Sequence, residues 1–228
     1  MPYNEITRVQ VPALVHLAKL GYNFISQKDK PKLDATTNIL TDSFTQAFNQ
    51  LNPNKNAQEA LTGMKKRLNY DDLGKSFYEY LLKSEHQIID FDNPNNNRYE
   101  MMAELTYKSL RTDITLFING LPLVNIEVKQ PYAEKSIKEE RERHITRYGN
   151  PENKVFYNLT QIWLFSDNLP YDDNNPNQGA FYGASYSPIF QRFVEANKLD
   201  ITPPPPKIIK MIKTIKTTDR LKKFKKRS

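Results

Sequence analysis

Arg111–Lys129 reads RTDITLFINGLPLVNIEVK, and how this stretch folds decides the architecture. Two apolar runs, Ile114–Ile118 and Leu121–Val128, flank Asn119-Gly120. Asn-Gly tolerates positive φ at both positions, and between alternating apolar residues it marks a β-hairpin. In the second strand the period of two puts Val124, Ile126 and Val128 on one face. Asn125, Glu127 and Lys129 take the other. Asp113 stands where the first strand begins, close to where the second must end.

Register decides whether these charged groups converge, because directly opposed residues of an antiparallel pair share a face. A strict two-residue loop pairs Asp113 with Ile126 and sends its carboxylate away from Glu127. A three-residue loop, Asn119-Gly120-Leu121, pairs Ile118 with Pro122 and Asp113 with Glu127. Pro122 has no N–H for the ladder and favours an irregular loop end or a bulge. The odd-numbered loop, or an equivalent bulge, is the expectation, since only that register lets both acids grip one ion. Two ionised carboxylates roughly 5 Å apart at Cβ repel each other, and a divalent cation removes the conflict. Mg²⁺ suits a site of one or two carboxylates with water and phosphate oxygens, and it activates water for attack on phosphorus. Lys129, on the same face, is placed to steady that water or the developing charge. The plainer alternative is a half-exposed hairpin carrying a solvated Glu and Lys.

The pattern R-T-D-I-x-L-F-I-N-G-L-P-L-V-x-I-E-V-K resembles the nuclease core of the R (restriction) subunit of type I restriction enzymes, a branch of the PD-(D/E)xK nuclease superfamily. The N-G-L-P-L-V segment carries the specificity, D…ExK alone being weak. The similarity runs from Glu5 to about Phe193 and is strongest over 98–170. It implies Mg²⁺-dependent cleavage of double-stranded DNA, with Asp113 and Glu127 as metal ligands and Lys129 as the catalytic lysine. Thr112 stands where the superfamily pattern often has proline. Related subunits carry Q-x-x-x-Y on the helix after ExK, facing the site; here the register reads His144-Ile-Thr-Arg-Tyr148. Tyr148 matches and His144 replaces the Gln. The two share a helix face, so they either reach DNA and the metal-bound water or leave His144 as a surface residue. Glu5 resembles the acid that related nucleases carry on their opening helix beside the metal. Its alternative role is to complement a helix dipole.

Composition narrows the class. The chain of 228 residues is long enough for one good core. Without cysteine it has no disulfide framework and no thiolate metal site. Three scattered histidines, His16, His86 and His144, argue against a His-based zinc site. No apolar run approaches the roughly 20 residues of a membrane span, and a soluble cytoplasmic protein is expected. The net charge of +7 is unevenly placed: Lys207–Ser228 alone carries +9, leaving −2 for the rest. Overall basicity therefore says nothing of a DNA groove on the globular part. No G-x-x-x-x-G-K-[ST] motif is present, so ATP-driven translocation is expected on chain beyond this sequence.

The remaining elements follow from pattern. A helix is expected over 4–20, capped by Asn4, kinked or divided by Pro12 and closed by Gly21, with Val9, Ala13, Leu17 and Leu20 near one face. Residues 22–26 read as a short strand and 27–32 as a polar turn. Helices are expected over 41–51, 57–68 and 71–84, the last with Leu73, Phe77, Tyr80 and Leu81 inward. They resemble a helical insertion before the catalytic hairpin. Strands are expected over 87–91, 98–108, 155–166 (central) and 179–186 (edge), with helices over 133–148 and 188–195. Glu104 reads as an exposed strand carboxylate within reach of the site. PPPP at 203–206 is a stiff spacer before a tail of interleaved lysines and apolar residues, which serves as a docking helix, a frayed end or an anion-binding arm.

The expected class is α/β, a restriction-endonuclease-like mixed central β-sheet flanked by helices, with the site at one edge. Residues 1–200 form the nuclease domain, with 41–84 its helical insertion, and 201–228 the spacer and tail. The resemblance implies an endonuclease needing Mg²⁺, with double-stranded DNA and separate specificity and methylation subunits as partners. Two alternatives remain: a non-catalytic docking or DNA-binding module of the same complex, and a stand-alone nuclease of the superfamily.

Overall fold

The computed structural model describes residues 6–130, 137–167 and 180–184. A π-helical turn, Ile6–Gln10, leads into α1, Val11–Lys19. The division falls between Gln10 and Val11, just before Pro12, whose missing N–H is tolerated in the first turn of a helix. Gly21, at φ 94°, closes the segment. The short strand β1, Asn23–Phe24, follows. Helices α2 (Thr41–Leu51) and α3 (Ala57–Leu68) have the expected bounds, and Asn56 caps α3 by accepting from the Gln58 N–H. Helix α4, Lys75–Lys83, begins later than expected. Leu73 and Gly74 lie at φ 60° and 76°, outside helical space, so the helix cannot start before Lys75.

The sheet is built from β2 (Tyr99–Ala103), β5 (Ile114–Ile118), β6 (Leu121–Val128), β7 (Ile162–Ser166) and β8 (Ala180–Ala184). With β1 the order is β1-β2-β5-β6-β7-β8. The β1–β2 and β6–β7 pairs are parallel and the others antiparallel, so the sheet is mixed. The hairpin β5–β6 is its central pair. Its eight- and five-residue strands are buried on both faces.

One face packs Leu116, Ile118, Val124, Ile126, Val128 and Ile162 against Phe44 and Phe48 of α2, Met64 and Leu68 of α3, and Phe77 and Leu81 of α4. The other face packs Trp163 and Phe165 with Tyr107, Leu110, Phe156 and Tyr157. Helix α5, Ile137–Tyr148, lies over this second face, where His144 packs at a tilt against Trp163, 4.4 Å between ring centres.

Three expected strands are redrawn. Residues 87–91 are irregular: Ile88 and Ile89 are both buried, and side chains serve the backbone there in place of a strand ladder. Asn119 donates to the Ile88 carbonyl, and Asn97 accepts from the Asp90 N–H. The strand expected over 98–108 ends at Ala103, because Glu104 turns into left-handed space at φ 57°. A small hairpin follows, β3 (Thr106–Tyr107) with β4 (Leu110–Arg111). The run 155–166 divides into helix α6, Lys154–Leu159, and β7. Residues 154–159 serve both cores at once, Phe156 and Tyr157 on one side and Leu159 on the other, which a strand at this place could not do. Thr160 ends α6 by donating its hydroxyl to the Phe156 carbonyl. Glu5, the helix expected over 188–195 and the spacer and tail 201–228 lie outside the described residues.

Candidate metal and nuclease site

The turn comes out as two residues with a bulge behind it. Asn119 and Gly120 lie at φ 51° and 75°, and Ile118 pairs with Leu121, not with Pro122, so the three-residue loop is not formed. Phe117 pairs with Pro122, but the next pair is Leu116 with Val124, leaving Leu123 as an extra residue. Pro122 cannot extend the ladder normally, and the irregularity falls beside it. The Leu123 carbonyl finds a partner in the Gln161 N–H at 2.8 Å. One extra residue changes the parity of everything beyond it. Continuing from Ile114 opposite Ile126, the register sets Asp113 opposite Glu127. The Asp113 carboxylate Oδ2 accepts from the Val128 N–H at 2.7 Å, fastening the open end of the hairpin.

Beneath the acids runs a buried polar chain. Thr112 donates to Thr115 at 2.7 Å, Thr115 to Asn125 Oδ1 at 2.7 Å, and Asn125 Nδ2 to Thr160 at 2.8 Å. The Thr112 N–H also bonds the Leu105 carbonyl at 3.0 Å. Proline at 112 has neither donor, so threonine here is tied into its surroundings. Gln10, at the start of α1, donates to the Asp113 carbonyl at 2.9 Å and to Glu104 Oε1 at 2.8 Å. Glu104 is also paired with Arg111 at 2.9 Å and so holds the α1 end against the hairpin.

Helix α5 adds groups that the sequence reading omitted. Glu140 Oε2 pairs with Lys129 Nζ at 3.0 Å, and Glu140 Oε1 pairs with Arg143. His144 Nε2 stands 3.5 Å from Glu127 Oε1 and 3.5 Å from Glu140 Oε1. The three residues are 3%, 4% and 1% exposed for Glu127, Glu140 and His144. Each offers a ligand atom within 4.8 Å of the others. The surface reading of His144 therefore does not hold. His144 Nδ1 is 3.0 Å from the Tyr157 hydroxyl. Tyr148 packs edge-on against Tyr157, and burial pushes its phenol up, with Asp71 and Asp72 adding to the effect. The signal for Glu140 lay in the sequence: it precedes His144 by four residues and shares its helix face.

Electrostatics bind the group together. Burial alone raises the Glu140 carboxyl, yet His144, Arg143 and Lys129 hold it well below the usual carboxylate range. Burial pulls the His144 imidazole down, and the facing carboxylates of Glu127 and Glu140 outweigh it, raising its pKa. Arg143 is held above its ordinary value, burial being outweighed by Glu140, Glu127 and Asp113. These charges thus act as one cluster.

A mixed sheet flanked by helices, with two acids and a lysine at the end of its central hairpin, is a restriction-endonuclease-like fold. Residues 2–172 match the family described as Type I restriction enzyme R protein N terminus, and the chain belongs to it. Among its relatives is the type I restriction enzyme HindI endonuclease subunit of Haemophilus influenzae, 27% identical over 155 residues, covering 54% of this chain and 15% of the relative. Two "Putative type I restriction enzyme" endonuclease subunits of Methanocaldococcus jannaschii also match. MjaVIIIP is 33% identical over 95 residues (40% of this chain, 9% of the relative). MjaIXP is 26% identical over 204 residues (76% and 19%). The chain thus spans less than a fifth of each relative.

Proposed function

We propose that this chain is the Mg²⁺-dependent endonuclease domain of a type I restriction R subunit, hydrolysing DNA phosphodiester bonds. The observation that carries this reading is the bulge at Leu123, which sets Asp113 opposite Glu127 with Lys129 on the same face of β6. Asp113 and Glu127 are the residues that hold the ion, and their donor set of hard carboxylate oxygens fits Mg²⁺. When bound, that ion supplies an activated water and neutralises charge on the phosphate oxygens. Lys129 contributes an ammonium at the rim of the acids, where charge develops on the scissile phosphate. Glu140 holds that ammonium in place. Arg143, half exposed beside it, offers a guanidinium fork for an incoming phosphate. Double-stranded DNA and the methylation and specificity subunits are the partners that go with this reading, ATP-driven translocation residing elsewhere in the assembly.

The test is Mg²⁺-dependent nicking of plasmid DNA by the wild type and by Asp113→Asn, Glu127→Gln and Lys129→Ala, alongside urea unfolding of each. The expected outcome is loss of nicking by at least about a hundredfold in each variant, the scale of removing one stabilising group from a reaction centre, with folding retained. Equal nicking by wild type and Glu127→Gln rejects the reading.

A further inference from the structure

The structure assigns a second kind of ion to this cluster: we propose that Glu127, Glu140 and His144 together bind a divalent transition-metal ion of the Zn²⁺ or Co²⁺ type. The inference shares Glu127 with the nuclease reading but does not depend on hydrolysis.

Two buried atoms carry it. Glu127 Oε1 and His144 Nε2 have no hydrogen-bond partner, although both residues are more than nine-tenths buried. They face each other across 3.5 Å, with Glu140 Oε1 also 3.5 Å from the same nitrogen. A direct N–H···O bond closes to about 2.9 Å, and this gap is wider. Ligands held about 2.1 Å from a tetrahedral ion stand about 3.4 Å apart, close to the 3.5 Å from His144 Nε2 to each carboxylate, and all three ligand atoms lie within 4.8 Å of one another. A ligating imidazole characteristically donates its other ring N–H to a fixed acceptor, which aims its lone pair at the metal. His144 Nδ1 has such a neighbour in the Tyr157 hydroxyl at 3.0 Å. With Nδ1 donating to the Tyr157 hydroxyl, a metal ion can replace the proton on Nε2 and draw that nitrogen and the two carboxylate oxygens to one centre.

The donor set selects the ion. One imidazole nitrogen and two carboxylates leave a fourth position open, the pattern of an accessible zinc-type site. Imidazole favours Zn²⁺ and its neighbours over Mg²⁺ and Ca²⁺, which prefer oxygen alone. Lys129 and Arg143 now neutralise Glu140 and compete with the ion. The ring is walled by Trp163, Phe165 and Tyr157, which keeps its orientation fixed.

The test is titration of the full chain with Co²⁺ and Zn²⁺, read by calorimetry and by the visible absorption of bound Co²⁺, on wild type, His144→Gln and Glu140→Gln. Glutamine at 144 keeps a polar side chain of similar reach but removes the imidazole. The expected result is one Co²⁺ bound with the intense absorption of a four-coordinate site. Affinity should fall at least tenfold in His144→Gln and in Glu140→Gln, with Mg²⁺ heats unchanged in His144→Gln. Equal Co²⁺ affinity in wild type and His144→Gln overturns the proposal, as does a six-coordinate oxygen-type spectrum. Wild-type protein that binds Co²⁺ in this way but does not nick DNA defeats the nuclease reading alone.

Discussion

Single residues here are fixed by how many partners their polar atoms can find. Thr115 is fully buried and links Thr112 to Asn125 through one hydroxyl. Thr115→Val keeps the shape and strands a buried amide oxygen, so it should cost about 1–3 kcal/mol, read as a lower urea midpoint at unchanged slope. Asp34 makes a different point. Burial favours its neutral form, but hydrogen bonds from Lys65, Thr36 and Thr37 outweigh this and hold its carboxyl far below the ordinary value. A depressed folded-state pKa gives stability that is present above the unfolded pKa, about 3.9, and is lost as pH falls below it. Wild type should therefore lose stability on acidification below about pH 4, and Asp34→Asn should lose less of it over that window. Identical pH profiles in the two proteins would show that the loop gains nothing from this charge.

At the level of elements, the hairpin turn is a tight joint. Gly120 lies at φ 75°, and an added Cβ would meet the Leu40 carbonyl and the Phe44 N–H nitrogen at 2.6 Å each. The Gly120 carbonyl also accepts the Leu40 N–H at 2.9 Å, so the turn docks onto the start of α2. Gly120→Ala combines a positive-φ penalty of about 1–2 kcal/mol with a backbone clash and should cost more than that penalty alone. Thermal unfolding of that variant against Gly149→Ala, a control with no left-handed φ and a nearest new contact at 3.4 Å, measures the two effects together. Helix α5 is the second decisive element: it has no apolar stripe of its own, and His144 enters the aromatic cluster in place of one.

For the whole molecule, charge is divided between a body of −2 and a tail of +9. Phosphate contacts set the salt dependence of DNA binding, at a slope of about −0.9 per contact in B-DNA. If the tail is the anion-binding arm, replacing Lys222, Lys223, Lys225, Lys226 and Arg227 with glutamine should flatten the slope of log affinity against log salt by several units. An unchanged slope would place the contacts on the body. No helix among the described residues is long and apolar enough to cross a membrane.

Much of this was legible in the chain itself. Asn119-Gly120 between apolar runs specified the hairpin, and the acid–acid–lysine spacing named the chemical groups, because both signals are local. Helices α2 and α3 were equally clear from their period and loop. Residues 87–91 and 154–159 were not: apolar and aromatic composition reads the same for a strand as for any segment buried on two sides. Only the tertiary structure decided that the extra residue sits at Leu123 and not in the turn, since strand parity depends on how two chains pair. It also decided that Glu140 and His144 reach Glu127, because that contact joins a helix and a strand through packing against Trp163 and Phe165, which no spacing along one segment encodes.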